Sequence, residues 1–322
     1  MNNLMVFSGS SNIELSKEIS GYIEKPLGNC IVKSFPDGEV MIKIEEDVRG
    51  KDCFVVQPTC PPVNDNLMEL LIIIDCLKRA SARSITAVVP YFGYARQDRK
   101  TGGRTPITAR LVADLLSSAK VDRVLTMDLH ADQIEGFFNV PVDHLKAFPV
   151  FVNYFKKAGR TDNTMVLSPD IGNIKIANMY ARALDMSIAV IDKKRLNGNS
   201  IQAETLIGDV QNKDILIFDD MVSTAGTIQA AAFLAIDKGA KEIKVVATHG
   251  LFTNPAEKRL RESPISEVFV TNTTPHPLNL KDKVMSQNDF PKINVLSVGN
   301  LIGEAILRIY YKRSVSVLLE SD

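Results

Sequence analysis

The chain has 322 residues, and its 38 lysines and arginines balance 38 aspartates and glutamates. Zero net charge excludes a global positive field for nucleic acid or an anionic membrane, and leaves room for a local anion site. Apolar residues at 45% and charged residues at 24% mark a folded globular protein, not a disordered chain or a fibre. The length suits two domains or one large one. Trp is absent, so no stacking platform for nucleic acid is advertised. Cys30, Cys53, Cys60 and Cys76 form no CxxC and no His/Cys cluster, which argues against zinc and against a disulfide scaffold. The N-terminus MNNLMVFSGSSNIEL lacks a basic stretch followed by a long apolar one. The greasiest segment, 67–77, is interrupted by Glu69 and Asp75, well short of the roughly 20 apolar residues that span a bilayer. A cytoplasmic protein is expected.

Short apolar runs alternate with helical periods. Leu4–Phe7 predicts a strand, and Asn12 a cap for a helix from Ile13 to about Tyr22, with Leu15 and Ile19 on one face. CIVKSF and VMIKIE flank Pro36-Asp37-Gly38, a hairpin signal. Strands are expected at Asp52–Gln57, at SITAVVPYF and at DRVLTMDL, with helices at 66–80 and 107–119. The pattern then repeats in kind. MVLSPD, SIAVIDK, DILIFDD, EIKVVATHG and EVFVTNT read as strands; 173–184, 226–239 and 301–308 read as helices. Strand, crossover helix, strand in both halves predicts parallel α/β layers with helices on both faces. Pro141, Pro149, Lys156, Lys157 and Gly159 suggest a boundary near residue 146, giving domains 1–146 and 147–322.

Ligands of open parallel sheets bind beyond the carboxyl ends of strands, so polar residues there carry the functional reading. In ILIFDDMVSTAGT an apolar strand runs into Asp219 and Asp220, followed by Ser223, Thr224, Ala225, Gly226 and Thr227 at a helix start. Gly226 permits a tight turn. Free N–H groups and hydroxyls there make a nest for a phosphate, while the two acids suit neighbouring sugar hydroxyls or a magnesium ion. No GxxxxGK[ST] and no GxGxxG occurs, which disfavours an ordinary P-loop kinase and a simple Rossmann dehydrogenase. GYARQDRKTGGRTP gathers Arg96, Arg99, Lys100 and Arg104 around Gln97 and Asp98, a polyphosphate site in an otherwise neutral protein. TMDLHADQ ends a strand at Asp128 and His130, where the histidine could serve a magnesium–nucleotide unit or a phosphate. SPDIGN repeats the logic with Asp170, Ile171, Gly172 and Asn173, and suits a diphosphate plus Mg²⁺. DKKRLNGNS sends Lys193, Lys194 and Arg195 from a strand into a polar segment that could close as a lid.

With these motifs in hand, the chain resembles the ribose-phosphate pyrophosphokinase family over essentially its whole length. FSGSSN, FPDGE, YFGYARQDRK, DLHADQIEGFF, PVDHL, DDMVSTAGT, THGLF and SVSVLL carry the likeness, and they are specific in combination. DDxxxTxGT alone would say only phosphoribosyltransferase-like. The resemblance implies two similar phosphoribosyltransferase-type domains, each with a mostly parallel central sheet flanked by helices. It implies transfer of the βγ-diphosphoryl group of ATP to the 1-hydroxyl of ribose 5-phosphate, with Mg²⁺. By the family's pattern, Phe35, Asp37 and Glu39 of a neighbouring subunit hold adenine, and Arg96, Gln97, Asp98 and Arg99 shape the ATP side. His130 and Asp170 map onto Mg²⁺-associated positions, Asp219–Asp220 and Ser223–Thr227 onto the ribose 5-phosphate site, and Lys193 and Arg195 onto the catalytic basic pair. The resemblance also implies a homo-oligomer, a hexamer built from dimers, with inorganic phosphate as activator and ADP as inhibitor. Three departures stand out: Asn173 where SPDxGG is usual, Leu196 where a proline follows the basic residues, and TGGRTP where the loop is commonly charged.

Overall fold

The computed structural model describes residues 2–159, 163–195, 202–275 and 291–319, and for 193–195 and 202–204 the backbone alone. The chain forms two compact units. One comprises the described residues within Met1–Ala147, Thr273–Pro275 and Ser297–Asp322, the other those within Phe148–Asn272 and His276–Leu296. Both are phosphoribosyltransferase-like α/β domains with a mostly parallel central sheet flanked by helices.

The first unit runs β1 (Leu4–Ser8), α1 (Ile13–Ile23), β2 (Leu27–Gly28), β3 (Cys30–Ser34), β4 (Val40–Ile44), β5 (Asp52–Val56), α2 (Val63–Arg79), β6 (Ser84–Val89), α3 (Thr108–Ser118), β7 (Arg123–Met127) and β8 (Val142–Leu145). Its sheet has the order β2-β1-β5-β6-β7-β8, and every pairing is parallel. All five residues of β5 are buried, as a strand covered on both faces requires. Asn12 caps α1 by accepting the Leu15 N–H at 3.2 Å. Along α2, Leu67, Leu70, Ile73, Ile74 and Leu77 keep the helical period and fill the core. The antiparallel β3–β4 hairpin stands apart as its own two-stranded sheet.

The second unit runs α4 (Phe148–Ala158), β9 (Thr164–Ser168), α5 (Ile174–Leu184), β10 (Ser187–Arg195), β11 (Gln202–Ile207), β12 (Asp214–Val222), α6 (Gly226–Asp237), β13 (Glu242–Gly250), α7 (Ala256–Arg261), β14 (Ile265–Thr271) and β15 (Lys292–Leu296). The sheet order is β11-β10-β9-β12-β13-β14-β15, parallel except at the β10–β11 edge. Alternation along β12 assigns its faces. Ile215 and Ile217 pack in a core with Ala231, Ala232 and Ala235 of α6. Phe218 instead stacks on Tyr180 of α5, with ring centroids 3.8 Å apart, beside Phe148 and Phe155 of α4.

The last helix, α8 (Gly299–Tyr310), packs on α1 and belongs to the first unit. The expected 147–322 domain therefore differs at its end, where residues from Ser297 onward fold with the N-terminal half. The first break falls between Ala147 and Phe148, and Pro149 lies in the first turn of helix α4. All four cysteines are free, and burial pushes the Cys53 thiol up to about 12. Among the described residues no helix is long and apolar enough to cross a membrane.

Candidate active site

The second unit gathers its acids at the ends of the central strands. β12 continues two residues past Asp220, so Asp219 and Asp220 lie within the strand and not at its last position. Asp219 Oδ1 accepts the Asp220 N–H at 2.9 Å. Burial, then the charge on Asp220 and that on Asp170, push the Asp219 carboxyl well above the usual carboxylate range. Asp170 comes from the end of β9. Its side chain accepts the Asn173 N–H at 3.0 Å, capping a short 3-10 turn formed by Ile171–Asn173. Gly172 is exposed in that turn, and a Cβ there would sit 3.2 Å from Asp170 Oδ1. Asn173 has φ −93°, so the position makes no demand for glycine.

After β12 the chain turns through Ser223–Thr227 into α6. The left-handed residue of the turn is Ala225 (φ 60°), one position before Gly226. Gly226 serves clearance instead, because a Cβ there would meet Arg259 Nη1 at 2.9 Å. Ala225 is buried, while Thr224 and Thr227 are exposed at the mouth of the turn. The Ser223 and Thr253 hydroxyls lie 3.1 Å apart. Lys193 and Arg195 stand on β10 paired with Glu204 and Gln202 of β11, so the strand extends through residues expected to leave it. Their side chains, and Leu196 with the rest of 196–200, lie outside the described residues.

The first unit brings together the other set. Gln97 caps the start of α3: its carbonyl accepts the Ala109 N–H at 3.2 Å and its Oε1 the Thr108 hydroxyl at 2.5 Å. Asp98 accepts from Gln133 Nε2 at 2.6 Å, tying the 93–100 segment to the turn after β7. Arg96 and Arg99 are exposed, and Arg96 and Gln97 line a cavity of about 540 Å³ with Tyr91 and Tyr94. His130 is exposed at the end of β7. Phe35, 49% exposed, caps the β3–β4 tip, where Asp37 Oδ1 accepts the Glu39 N–H at 3.1 Å and Gly38 takes φ +93°. Glu39 lines a different cavity, of about 910 Å³, with Ser10, Asn66 and Glu69. Within one chain, the hairpin residues and the Arg96 group thus serve separate hollows.

Two features escaped the sequence reading. The FSGSSN segment is a clasp: Glu69 accepts the Ser10 N–H at 2.6 Å and its hydroxyl at 2.5 Å, and Gln57 accepts the Ser11 hydroxyl at 2.7 Å. His144, within PVDHL, accepts the Leu129 N–H on Nε2 at 2.8 Å. Its proton therefore sits on Nδ1, which donates to Glu135 at 2.5 Å. Burial, then Lys146, lower the His144 pKa, so it holds the Asp128–His130 segment as a neutral ring. Asp132, Glu135 and His144 bring ligand atoms within 4.8 Å of one another, a group that could hold a metal ion. Lys146 Nζ already stands among them, 2.8 Å from Asp132.

Fold and site together define a protein of phosphoribosyltransferase architecture whose second domain carries paired acids ahead of a hydroxyl-lined turn. Residues 4–119 match the N-terminal domain of ribose phosphate pyrophosphokinase, and 197–320 the phosphoribosyl synthetase-associated domain. A ribose-phosphate pyrophosphokinase of Rhodopirellula baltica is 50% identical over 320 residues, 99% of each chain. One from Caldanaerobacter subterraneus subsp. tengcongensis is 49% identical over 317 residues, 98% of each. The crystal structure of phosphoribosylpyrophosphate synthetase from Mycobacterium smegmatis superposes with TM-score 0.87 at 40% identity, covering 96% of this chain and 99% of that one. The chain belongs to the ribose-phosphate pyrophosphokinase family and is an enzyme of that family.

Proposed function

We propose that the protein transfers the βγ-diphosphoryl group of ATP to the 1-hydroxyl of ribose 5-phosphate, releasing AMP and 5-phospho-α-D-ribose 1-diphosphate. The observation that carries this reading is the half-buried Asp219–Asp220 pair on β12, two residues before the Ser223–Thr227 turn. Amide hydrogens and hydroxyls of the turn donate to the 5-phosphate. Ring hydroxyls of the sugar donate to Asp219 and Asp220, which relieves the mutual repulsion that otherwise favours a proton on Asp219.

In the reaction the ribose 1-hydroxyl oxygen forms a bond to the β-phosphorus and gives up its proton to water, the bond from that phosphorus to the oxygen bridging the α- and β-phosphates breaks, and AMP leaves with the electron pair. The step needs alignment and positive charge more than covalent help. Lys193 and Arg195 supply charge as the leaving group develops. Arg96, Gln97, Asp98 and Arg99 bind the ATP side, and Phe35, Asp37 and Glu39 of a neighbouring subunit hold adenine, Phe35 by stacking. The Asp170 carboxylate, whose charge acts on Asp219, is an oxygen donor of the kind a hard divalent cation takes. Asp170 and His130 would hold Mg²⁺, with Ile171, Gly172 and Asn173 forming the diphosphate loop, and the cation would neutralise charge on the phosphate oxygens. The working form is a homo-oligomer, a hexamer built from dimers, activated by inorganic phosphate and inhibited by ADP, in the cytoplasm.

The test is incubation of the purified protein with ATP, Mg²⁺ and ribose 5-phosphate. AMP and the sugar diphosphate should appear in equal amounts. Release of ADP, or of AMP without sugar, would contradict the reading. A true phosphoribosyltransferase would instead need a base and the preformed sugar diphosphate.

A further inference from the structure

We propose that Arg259, on α7, is a positioning residue of the sugar-phosphate turn: it orients the 224–225 peptide so that the turn's amide hydrogens face the phosphate. This rests on the ribose 5-phosphate reading above. Arg259 Nη1 donates to the Thr224 carbonyl at 3.0 Å. In a trans peptide the carbonyl and the next N–H point in opposite directions, so holding the Thr224 oxygen sets the Ala225 N–H on the other side. Ala225 is the residue that adopts the left-handed conformation, one that a non-glycine residue keeps only when its surroundings enforce it. A restraint on the peptide just before it is such an enforcement.

The backbone that carries this side chain is itself held. The Arg259 carbonyl accepts from Gln229 Nε2 of α6 at 2.9 Å, and its helix is anchored by the fully buried Ala256 and Leu260. Arginine therefore reaches from α7 to the turn while α6, which the turn opens, reaches back to the arginine backbone. The absent side chain at Gly226 fits this arrangement, since a Cβ would crowd Nη1. The permanent positive charge also lies one peptide from where an anion would sit.

The experiment compares Arg259→Ala and Arg259→Lys with the unaltered enzyme. The KM for each substrate and kcat would be measured, together with calorimetric binding of ribose 5-phosphate alone. Arg259→Ala should raise the KM for ribose 5-phosphate and weaken its direct binding about tenfold, with the KM for ATP and kcat within about twofold. Arg259→Lys keeps the charge and one donor and should recover part of the loss. It also serves if the alanine variant does not fold. An equal rise in both KM values, or unaltered sugar-phosphate binding in a folded variant, would overturn the proposal while leaving the function intact. An unaltered enzyme that does not saturate with ribose 5-phosphate would overturn the functional reading, and this inference with it.

Discussion

Asn173 Nδ2 donates to the Phe218 carbonyl at 2.6 Å, one residue past the last β9–β12 pair, Leu167 with Ile217. The amide continues the strand pairing by side chain where β9 has ended. It also pins the Asp170–Asn173 turn to the strand that carries Asp219. The departure from the family's glycine thus brings a contact of its own. Asn173→Gly would leave a buried carbonyl short of a partner, which costs about 1–3 kcal/mol. The melting midpoint should fall by several degrees, at about 2–4 °C per kcal/mol for a domain of this size. A melt that matches the unaltered protein would mean the bond contributes nothing.

Glu267 lies at the centre of a three-strand charge ladder. The register puts Lys244 of β13 and Lys292 of β15 opposite it, at 2.9 and 3.9 Å, and Asn294 donates at 2.9 Å. Burial alone would raise its pKa, but hydrogen bonds from Lys244 and Asn294 outweigh this and lower it. A carboxylate with a depressed folded pKa contributes stability that is present above the unfolded value, near 4.5, and lost as pH falls through the folded one. Glu267→Gln should therefore cost about 1 kcal/mol at pH 7, and progressively less as the pH falls below the unfolded value and through the folded one. Thermal melts of both proteins across that range test the sign: a gap that persists or widens in acid would show that the ion pair is not its source.

Phe35 exposes its ring at the tip of a hairpin that has a sheet of its own, and its neighbour Glu39 faces a different hollow from Arg96. The proposed adenine clamp serves a neighbouring subunit, and this exposure suits it. Phe35→Ala should raise the KM for ATP about tenfold, in line with about 1–3 kcal/mol for a base stacked on an aromatic ring. Assayed at ATP well below the raised KM, mixed oligomers of Phe35→Ala and Lys193→Ala chains should be more active than either variant alone. Verified mixed oligomers without any recovery would argue against donation across subunits.

Much of this architecture was legible because its signals are local. Apolar runs of five or six residues ending in Asp170 and Asp220, the Asn12 cap and the Pro36–Gly38 turn need no tertiary context. What escaped depends on distant partners. Arg259 looks like one more charge in AEKRLR until α7 packs beside α6. The Ser10–Glu69 clasp joins residues 59 apart. The return of α8 to the first unit has no sequence signal at all, since an amphipathic helix does not say which sheet it will cover. That Ala225 takes the left-handed conformation in this turn has no local sequence signal.

The most direct test of mechanism lies on β10. Residues 193–195 pair with 204–202 of β11, and alternation along a strand puts positions 193 and 195 on one face and 194 on the other. Charges that act as AMP departs stabilise the transition state more than bound ATP, so their loss lowers kcat and leaves KM nearly unchanged. Lys193→Ala and Arg195→Ala should each reduce kcat by about 10²-fold or more, some 3 kcal/mol at about 1.4 kcal/mol per tenfold. Lys194→Ala should be far milder. Melting midpoints should barely move, because substitutions away from the core usually stay within about 0.5 kcal/mol. Steady-state kinetics on the three variants at saturating Mg²⁺, each beside its melt, decide the matter. Near-normal kcat in Lys193→Ala, or Lys194→Ala as the most damaged of the three, would assign the catalytic charge to the wrong face.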